Sequence, residues 1–218
     1  VPNYRPPEKL TGTPARATLA QGTLLHRVHA LHRSATAFNP QPAHCLYGGG
    51  RFDATPCDRY GYLYAGTTPG AAVCETLLRS VPFDPAGGPR LVPGVAVARR
   101  GLSTLRLAAD LTVVSLMTAQ DLAGVRQDGW LVQTEAQDYA YTRDWAHWIR
   151  RHTDPWAQGF VWASKREPGD RTVVLFGDRC PPGALEALPG HTVDFATAGG
   201  RSHLDSVLQP YHAQLAPQ

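Results

Sequence analysis

Five side chains carry most of the chemistry this 218-residue sequence can offer: Arg27, Arg51, Tyr64, Glu75 and Ser164. Arg51 follows Gly48-Gly49-Gly50, a context in which bare backbone N–H groups approach an anion while the guanidinium clamps it. Arg27 stands inside an expected strand, where a charge must be paired, ligand-bound or on a wet face, and the segment alone does not choose. Tyr64 can stack on a planar ring or hydrogen-bond a ribose, with Tyr62 a rival two residues away; the duller role of either is packing. Glu75 can orient a ribose hydroxyl and stabilise positive charge on a sugar, or else be a solvated helix carboxylate. Ser164 opens a Lys-Arg-Glu-Pro-Gly-Asp turn and by default satisfies that turn; it is not in a G-x-S-x-G elbow. A guanidinium, a phenol and a carboxylate within the unit from Gly48 to Glu75 suit a charged, aromatic, phosphate-bearing nucleotide, held without a G-x-G-x-x-G turn or a Walker loop. His26, His29 and His32 do not converge on one metal at three-residue spacing in a strand and loop, so no metal site is assigned.

The elements that must position these groups follow from local pattern. Strands are expected at Thr23–His29 and Arg59–Gly66, the second with Tyr60, Tyr62 and Tyr64 on one face by the two-residue period. Thr68 as N-cap and Pro69 at the first helical position start a helix running to about Ser80, with Glu75 about 120° from the centre of its apolar stripe. Further strands are expected at Gly94–Ala98, Leu102–Leu107, Leu111–Leu116, Gly159–Ala163 and Thr172–Phe176. Thr118 opens a brief helix to Gly124, and Asp138–His152 is the strongest helix, its stripe carrying Tyr141, Trp145, Trp148, Ile149 and His152. Beyond Asp178 the pattern weakens to a helical turn at Pro182–Leu188, a strand at Thr192–Phe195 and a final helix or tail from Leu204. The expected architecture is a single α+β domain with a curved or split, mostly antiparallel sheet flanked by helices. It divides into an extended proline-bearing arm (1–22), the domain proper (23–200) and a C-terminal tail or helix (201–218).

Composition narrows the class. The formal net charge is +3, and all but Lys9 and Lys165 of the 21 basic residues are Arg, without a basic run, which argues against a dedicated nucleic-acid binder. The arginine excess is also what a GC-rich genome writes everywhere. No window is long and apolar enough for a membrane span, and Val1-Pro2-Asn3-Tyr4-Arg5 has no secretory pattern, so a soluble cytoplasmic protein is expected. Cys45, Cys57, Cys74 and Cys180 form no C-x-x-C pair and read as reduced structural thiols.

Individually weak, these residues gain meaning in order. Leu25-His26-Arg27-Val28, Gly49-Gly50-Arg51-Phe52, Leu63-Tyr64-Ala65-Gly66, Ala71-Ala72-Val73-Cys74-Glu75 and Gly159-Phe160-Val161-Trp162-Ala163-Ser164 with Leu175-Phe176 together resemble the RES-domain family, named for its Arg, Glu and Ser. The likeness spans roughly Leu24 to Arg179. It implies an ADP-ribosyltransferase-like fold and a toxin of a toxin–antitoxin pair that consumes NAD+ by splitting the nicotinamide–ribose bond, with phosphate or water as acceptor. Protein ADP-ribosylation is the nearest enzymatic rival, and a non-catalytic module for an acidic partner or nucleic acid is the alternative of another class. Carried onto this chain, Arg27 and Arg51 hold the pyrophosphate or acceptor phosphate, Tyr64 lines the nicotinamide end, Glu75 serves the ribose and its oxocarbenium-like transition state, and Ser164 completes the pocket. The resemblance implies NAD+ as substrate rather than a resident cofactor, inorganic phosphate as co-substrate, and a helix-turn-helix antitoxin as partner; a homo-oligomer is allowed. His26 departs from the aromatic that many relatives carry before the first Arg, and the arm and the tail after Arg201 lie outside the likeness.

Overall fold

Over residues 3–217, which the computed structural model describes, the chain runs β1 (Arg16–Leu19), β2 (Leu24–Ala30), β3 (Tyr62–Gly66), α1 (Pro69–Val73) passing into a π-helical turn (Cys74–Leu78), β4 (Arg90–Val92) and α2 (Gly94–Val97). It continues through β5 (Arg100–Leu107), β6 (Leu111–Ser115), α3 (Ala119–Gly124), α4 (Trp130–Gln133), α5 (Tyr139–His152), β7 (Gly159–Ala163), β8 (Arg171–Phe176), β9 (Leu185–Asp194), α6 (Ala198–Leu208) and β10 (Ala213–Leu215). One sheet takes eight strands in the order β1-β6-β7-β8-β3-β2-β5-β9, antiparallel except for β6 with β7, and β10 pairs with β4 in a separate parallel ribbon.

The sheet is curled. Leu19, Leu111 and Val113 from one end share a cluster with Leu105, Leu107 and Leu185 from the other, which requires the two edges to roll toward each other over one face. The opposite face is covered by helices in two patches. Trp145, Trp148 and Ile149 of α5 pack on Phe160, Trp162, Val174 and Phe176, while α1 and α6 pack Val73, Leu204 and Leu208 on Val28 and Leu102. The sheet is also split. β2 pairs with β5 along all seven of its residues but meets β3 at a single pair, His26 with Gly66, so the two strands part beyond that point and open a cleft.

Most of the expected elements are present, including the Thr68 cap that accepts from Ala71 N and the Thr118–Asp121 capping box. Several expectations are corrected. Gly94–Ala98 is the short helix α2, not a strand: Pro93 starts a turn closed by Ala96 N donating to Pro93 O at 2.9 Å, and so short an apolar run has no period of its own. The helical turn expected at Pro182–Leu188 is replaced by β9. Pro189 and Gly190 fall where the β5–β9 register slips between Ser103 and Leu105, a bulge on an edge strand that tolerates both. Within the arm, Arg16–Leu19 pairs with β6, and Asn3 O accepts from Gln127 Nε2 at 2.7 Å and Trp145 Nε1 at 2.9 Å. The C-terminal helix starts at Ala198, capped by Thr197, and ends at Leu208 before β10. In α5 the buried stripe is centred on Tyr139, Thr142, Arg143 and Ala146, while Tyr141 is exposed. The four cysteines are free thiols. No helix among the described residues is long and apolar enough to cross a membrane.

Candidate active site

The parting of β2 from β3 leaves a cavity of about 570 Å³, within the range of small-molecule sites. β2 contributes Arg27 and His29, β3 contributes Tyr62 and Tyr64, the glycine turn contributes Gly49 and Gly50, and the π-helical turn contributes Glu75. A π turn carries one residue more than α geometry allows and is often found at functional sites. Glu75 sits one residue into it, buried to 6% exposure rather than solvated.

Glu75 is fixed by Arg51. Nη1 of Arg51 donates to Glu75 Oε1 at 3.0 Å, and its Nη2 lies 3.4 Å from both Thr134 O and Tyr139 Oη. The guanidinium also sits over the Tyr139 ring, 5.2 Å from its centroid. Thr142 Oγ1 donates to Arg51 O at 2.7 Å, tying the turn to α5. Oε2 of Glu75 accepts no protein hydrogen bond among the described residues, so the carboxylate is oriented through one oxygen and presents the other to the cavity.

The glycine turn is shaped by close approaches. Gly48 and Gly49 adopt φ of 60° and 74°, and a Cβ on Gly50 would lie 2.5 Å from Asp53 Oδ1 and 3.0 Å from Tyr64 Oη. Asp53 Oδ2 accepts from Gly50 N at 2.6 Å and lies 3.1 Å from Tyr62 Oη. From α5, Arg143 clamps the turn from beneath. Its Nη1 donates to Gly48 O (2.8 Å) and Gly50 O (3.3 Å), and its Nη2 to His44 O (3.0 Å) and Cys45 O (3.2 Å).

The two tyrosines share the cavity. Tyr64 Oη accepts from Phe52 N at 2.8 Å, and Tyr62 Oη accepts from Asn39 Nδ2 at 2.7 Å and lies 3.0 Å from Gln41 O. Burial, with the nearby Asp53 carboxylate, raises both phenols above the usual tyrosine range, so they stay neutral and offer ring faces. Arg27 is aimed by two carbonyls, with Nη1 donating to Ala35 O at 2.6 Å and Ala37 O at 2.8 Å. Its Nε and Nη2 have no protein partner among the described residues. Burial, and to a lesser extent Arg33, lower its pKa to about 10, which leaves it charged at neutral pH. His29 Nε2 is 2.9 Å from Ser103 Oγ, and burial followed by the Arg27 charge holds its pKa below the usual histidine value.

Arg27, Tyr64 and Glu75 therefore meet on one cavity, and Tyr62 joins them. Two of the expected residues stand outside the cavity lining. Arg51 is not among the cavity-lining residues: it is 1% exposed, with Nη1 on Glu75 Oε1 and Nη2 near Thr134 O and Tyr139 Oη, a geometry that positions the carboxylate. Ser164 is likewise buried and outside the cavity lining. Its N donates to Asp170 O at 2.9 Å, which closes the β7–β8 hairpin, while its Oγ has no hydrogen-bond partner among the described residues. The sequence reading missed Asp53, Arg143 and Tyr139. Arg143 had a usable signal, a charge inside the buried stripe of an amphipathic helix.

The sequence model of the RES domain matches residues 24–198. The chain belongs to the RES-domain family. Its Arg51 and Glu75 form the buried pair, and Ser164 directly follows β7, the strand next to β8. Among solved structures, the RES-domain chain is similar to one in the crystal structure of the M. tuberculosis MbcT–MbcA toxin–antitoxin complex, with a TM-score of 0.56 at 18% identity, over 85% of this chain and 90% of that one. At that identity the likeness bears on the fold. A search of curated protein sequences returned no match.

Proposed function

We propose that this RES-domain protein cleaves the nicotinamide–ribose bond of NAD+ and acts as the toxin of a toxin–antitoxin pair. The observation that carries the reading is the Arg51–Glu75 pair, which sets a carboxylate on the wall of a cavity lined by Arg27 and two tyrosines. The C–N bond breaks with its electron pair leaving on nicotinamide, which departs neutral, so little acid catalysis is needed. The ribose is left oxocarbenium-like, and the free oxygen of Glu75 stabilises that charge from a preorganised position. Arg27 binds phosphoryl oxygens, and the Tyr62 and Tyr64 rings border the nicotinamide. Phosphate then adds at the anomeric carbon to give ADP-ribose-1-phosphate with loss of a proton; water in its place gives ADP-ribose. The cation excess of the cavity favours phosphate as the acceptor. NAD+ is a substrate in this scheme and no resident cofactor is required.

A partner protein is part of the proposal, supported by a similar fold solved within a toxin–antitoxin complex. We assign that role to a helix-turn-helix antitoxin.

Incubation of the purified protein with NAD+, with and without phosphate, tests the chemistry. Nicotinamide with ADP-ribose-1-phosphate marks phosphorolysis, nicotinamide with ADP-ribose marks hydrolysis, and label retained on protein marks transfer. No loss of NAD+ under any condition rejects the reading.

A further inference from the structure

The loop between β7 and β8, residues 164–170, puts no side chain on the cavity, yet it is tied to three of the segments that hold Glu75. Thr68 Oγ1, at the N-cap of α1, donates to Asp170 Oδ2 at 2.5 Å, which fixes the start of the helical unit that carries Glu75. At the other end of that unit, directly after the π-helical turn, Arg79 O accepts from Arg166 Nη2 at 3.2 Å. The third tie crosses to the segment that braces Arg51. Glu135 Oε1 lies 2.6 Å from Lys165 Nζ and 3.5 Å from Arg166 Nη2. Glu135 stands at the N-cap of a 3-10 turn (Ala136–Asp138) but makes no capping bond there, its carboxylate being turned to the loop. Its neighbour Thr134 supplies the carbonyl that faces Arg51 Nη2, and Tyr139, just beyond the 3-10 turn, sets its ring 5.2 Å from the Arg51 guanidinium carbon and 5.5 Å from that of Arg79.

We infer that Glu135, Lys165 and Arg166 are positioning residues, and that the β7–β8 loop is a clamp that aims Glu75 through Arg51 from outside the cavity. Two arms of the clamp grip the ends of the unit that bears Glu75, and the third holds Thr134 against the Arg51 fork. Glu75 takes its protein hydrogen bond through one oxygen only, from Arg51, so a shift of that guanidinium turns the carboxylate with nothing else to restore it. A half-exposed ion pair such as Glu135–Lys165 adds little stability by itself. Its effect falls on orientation instead, and a displacement well under one ångström at a reacting carboxylate is felt in rate before it is felt in binding. This inference rests on the proposed function and names what aims the carboxylate of that site.

The test measures kcat and KM for nicotinamide release from NAD+ by the full chain, beside amide exchange without NAD+. Glu135→Gln should lower kcat about tenfold and leave KM within about twofold, with a Tm close to that of wild type. Adding Lys165→Met to it should cost no more than about a further twofold, because both changes break one clamp. Arg106→Gln, which opens an exposed pair with Glu186 on the other side of the sheet order, should leave kcat unchanged. Should Glu135→Gln fail to fold, Glu135→Asp, which keeps the charge and shortens its reach, should show a smaller fall in kcat. Wild-type kcat in the Glu135 variants, a loss in KM alone, or fully additive losses in the double variant would overturn the clamp. Exchange over residues 134–139 should quicken in Glu135→Gln, and unchanged exchange there would overturn it as well. That last readout needs no turnover, so if wild type releases no nicotinamide the functional reading falls while the clamp is still decided.

Discussion

The two cationic regions of the cleft treat their arginines in opposite ways. At the floor, Arg51 is buried, paired with Glu75 and braced by Thr134 and Tyr139. At the rim, Arg27, Arg33, Arg79 and Arg100 carry their charges without acidic partners among the described residues. Buried Arg150 pairs with Asp58 and Asp178, while buried Arg90 and Arg143 donate to backbone carbonyls. The floor is held by contacts within the chain, and the rim arginines face the cavity.

The largest expected effect comes from breaking the floor. Arg51→Met leaves Glu75 buried without its cation and should cost about 3–5 kcal/mol of stability. Arg51→Met with Glu75→Leu should recover most of that loss and still be inactive; denaturant melts read beside NAD+ turnover separate the two consequences. If the single variant is as stable as wild type, the pair is not what fixes the floor.

Arg143 sharpens the contrast, because it is a third kind of arginine, one spent on carbonyls. Arg143→Met strips four carbonyl oxygens of the glycine turn of their donor and should lower stability by about 3 kcal/mol. Faster amide exchange over residues 44–50 should accompany it, and unchanged exchange there would show that the turn holds itself.

A pH step gives a smaller change. His26, His29 and His147 are all held below the usual histidine value of 6.5, chiefly by burial. The unfolded chain therefore binds more protons than the folded one below that value, so stability is present above pH 6.5 and falls as pH drops. A lower Tm at pH 5.5 than at pH 7.5 is expected; an equal or higher one contradicts the assignment.

The smallest effect separates rim from floor most simply. Arg100→Gln removes a charge with no acidic partner among the described residues and should shift stability by no more than about 0.5 kcal/mol, in either direction. A loss as large as that of Arg51→Met would mean that the rim is structural.

The frame was legible where sequence pattern is local. Thr68-Pro69 marks a helix start, Tyr60-Tyr62-Tyr64 alternate on one face, and both α5 tryptophans are core, as their spacing implies. The ordered blocks around Arg27, Arg51 and Glu75 carried the family likeness that the domain match over residues 24–198 bears out. What stayed hidden depends on distant partners. Nothing near Arg51 in sequence says that its fork turns toward Glu75 and away from the cavity, because the choice is made by α5 and the π turn packing around it. Arg33, Arg79 and Arg100 look like ordinary surface arginines until the parting of β2 and β3 gathers them around one cavity.

The central claim, that the Arg51-held carboxylate serves cleavage of a nicotinamide–ribose bond, is met most directly by following nicotinamide release from NAD+ for wild type and Glu75→Gln with phosphate present. The account predicts release by wild type and a drop of about a hundredfold or more in the folded variant. Release at the same rate from both proteins, or from neither, contradicts it.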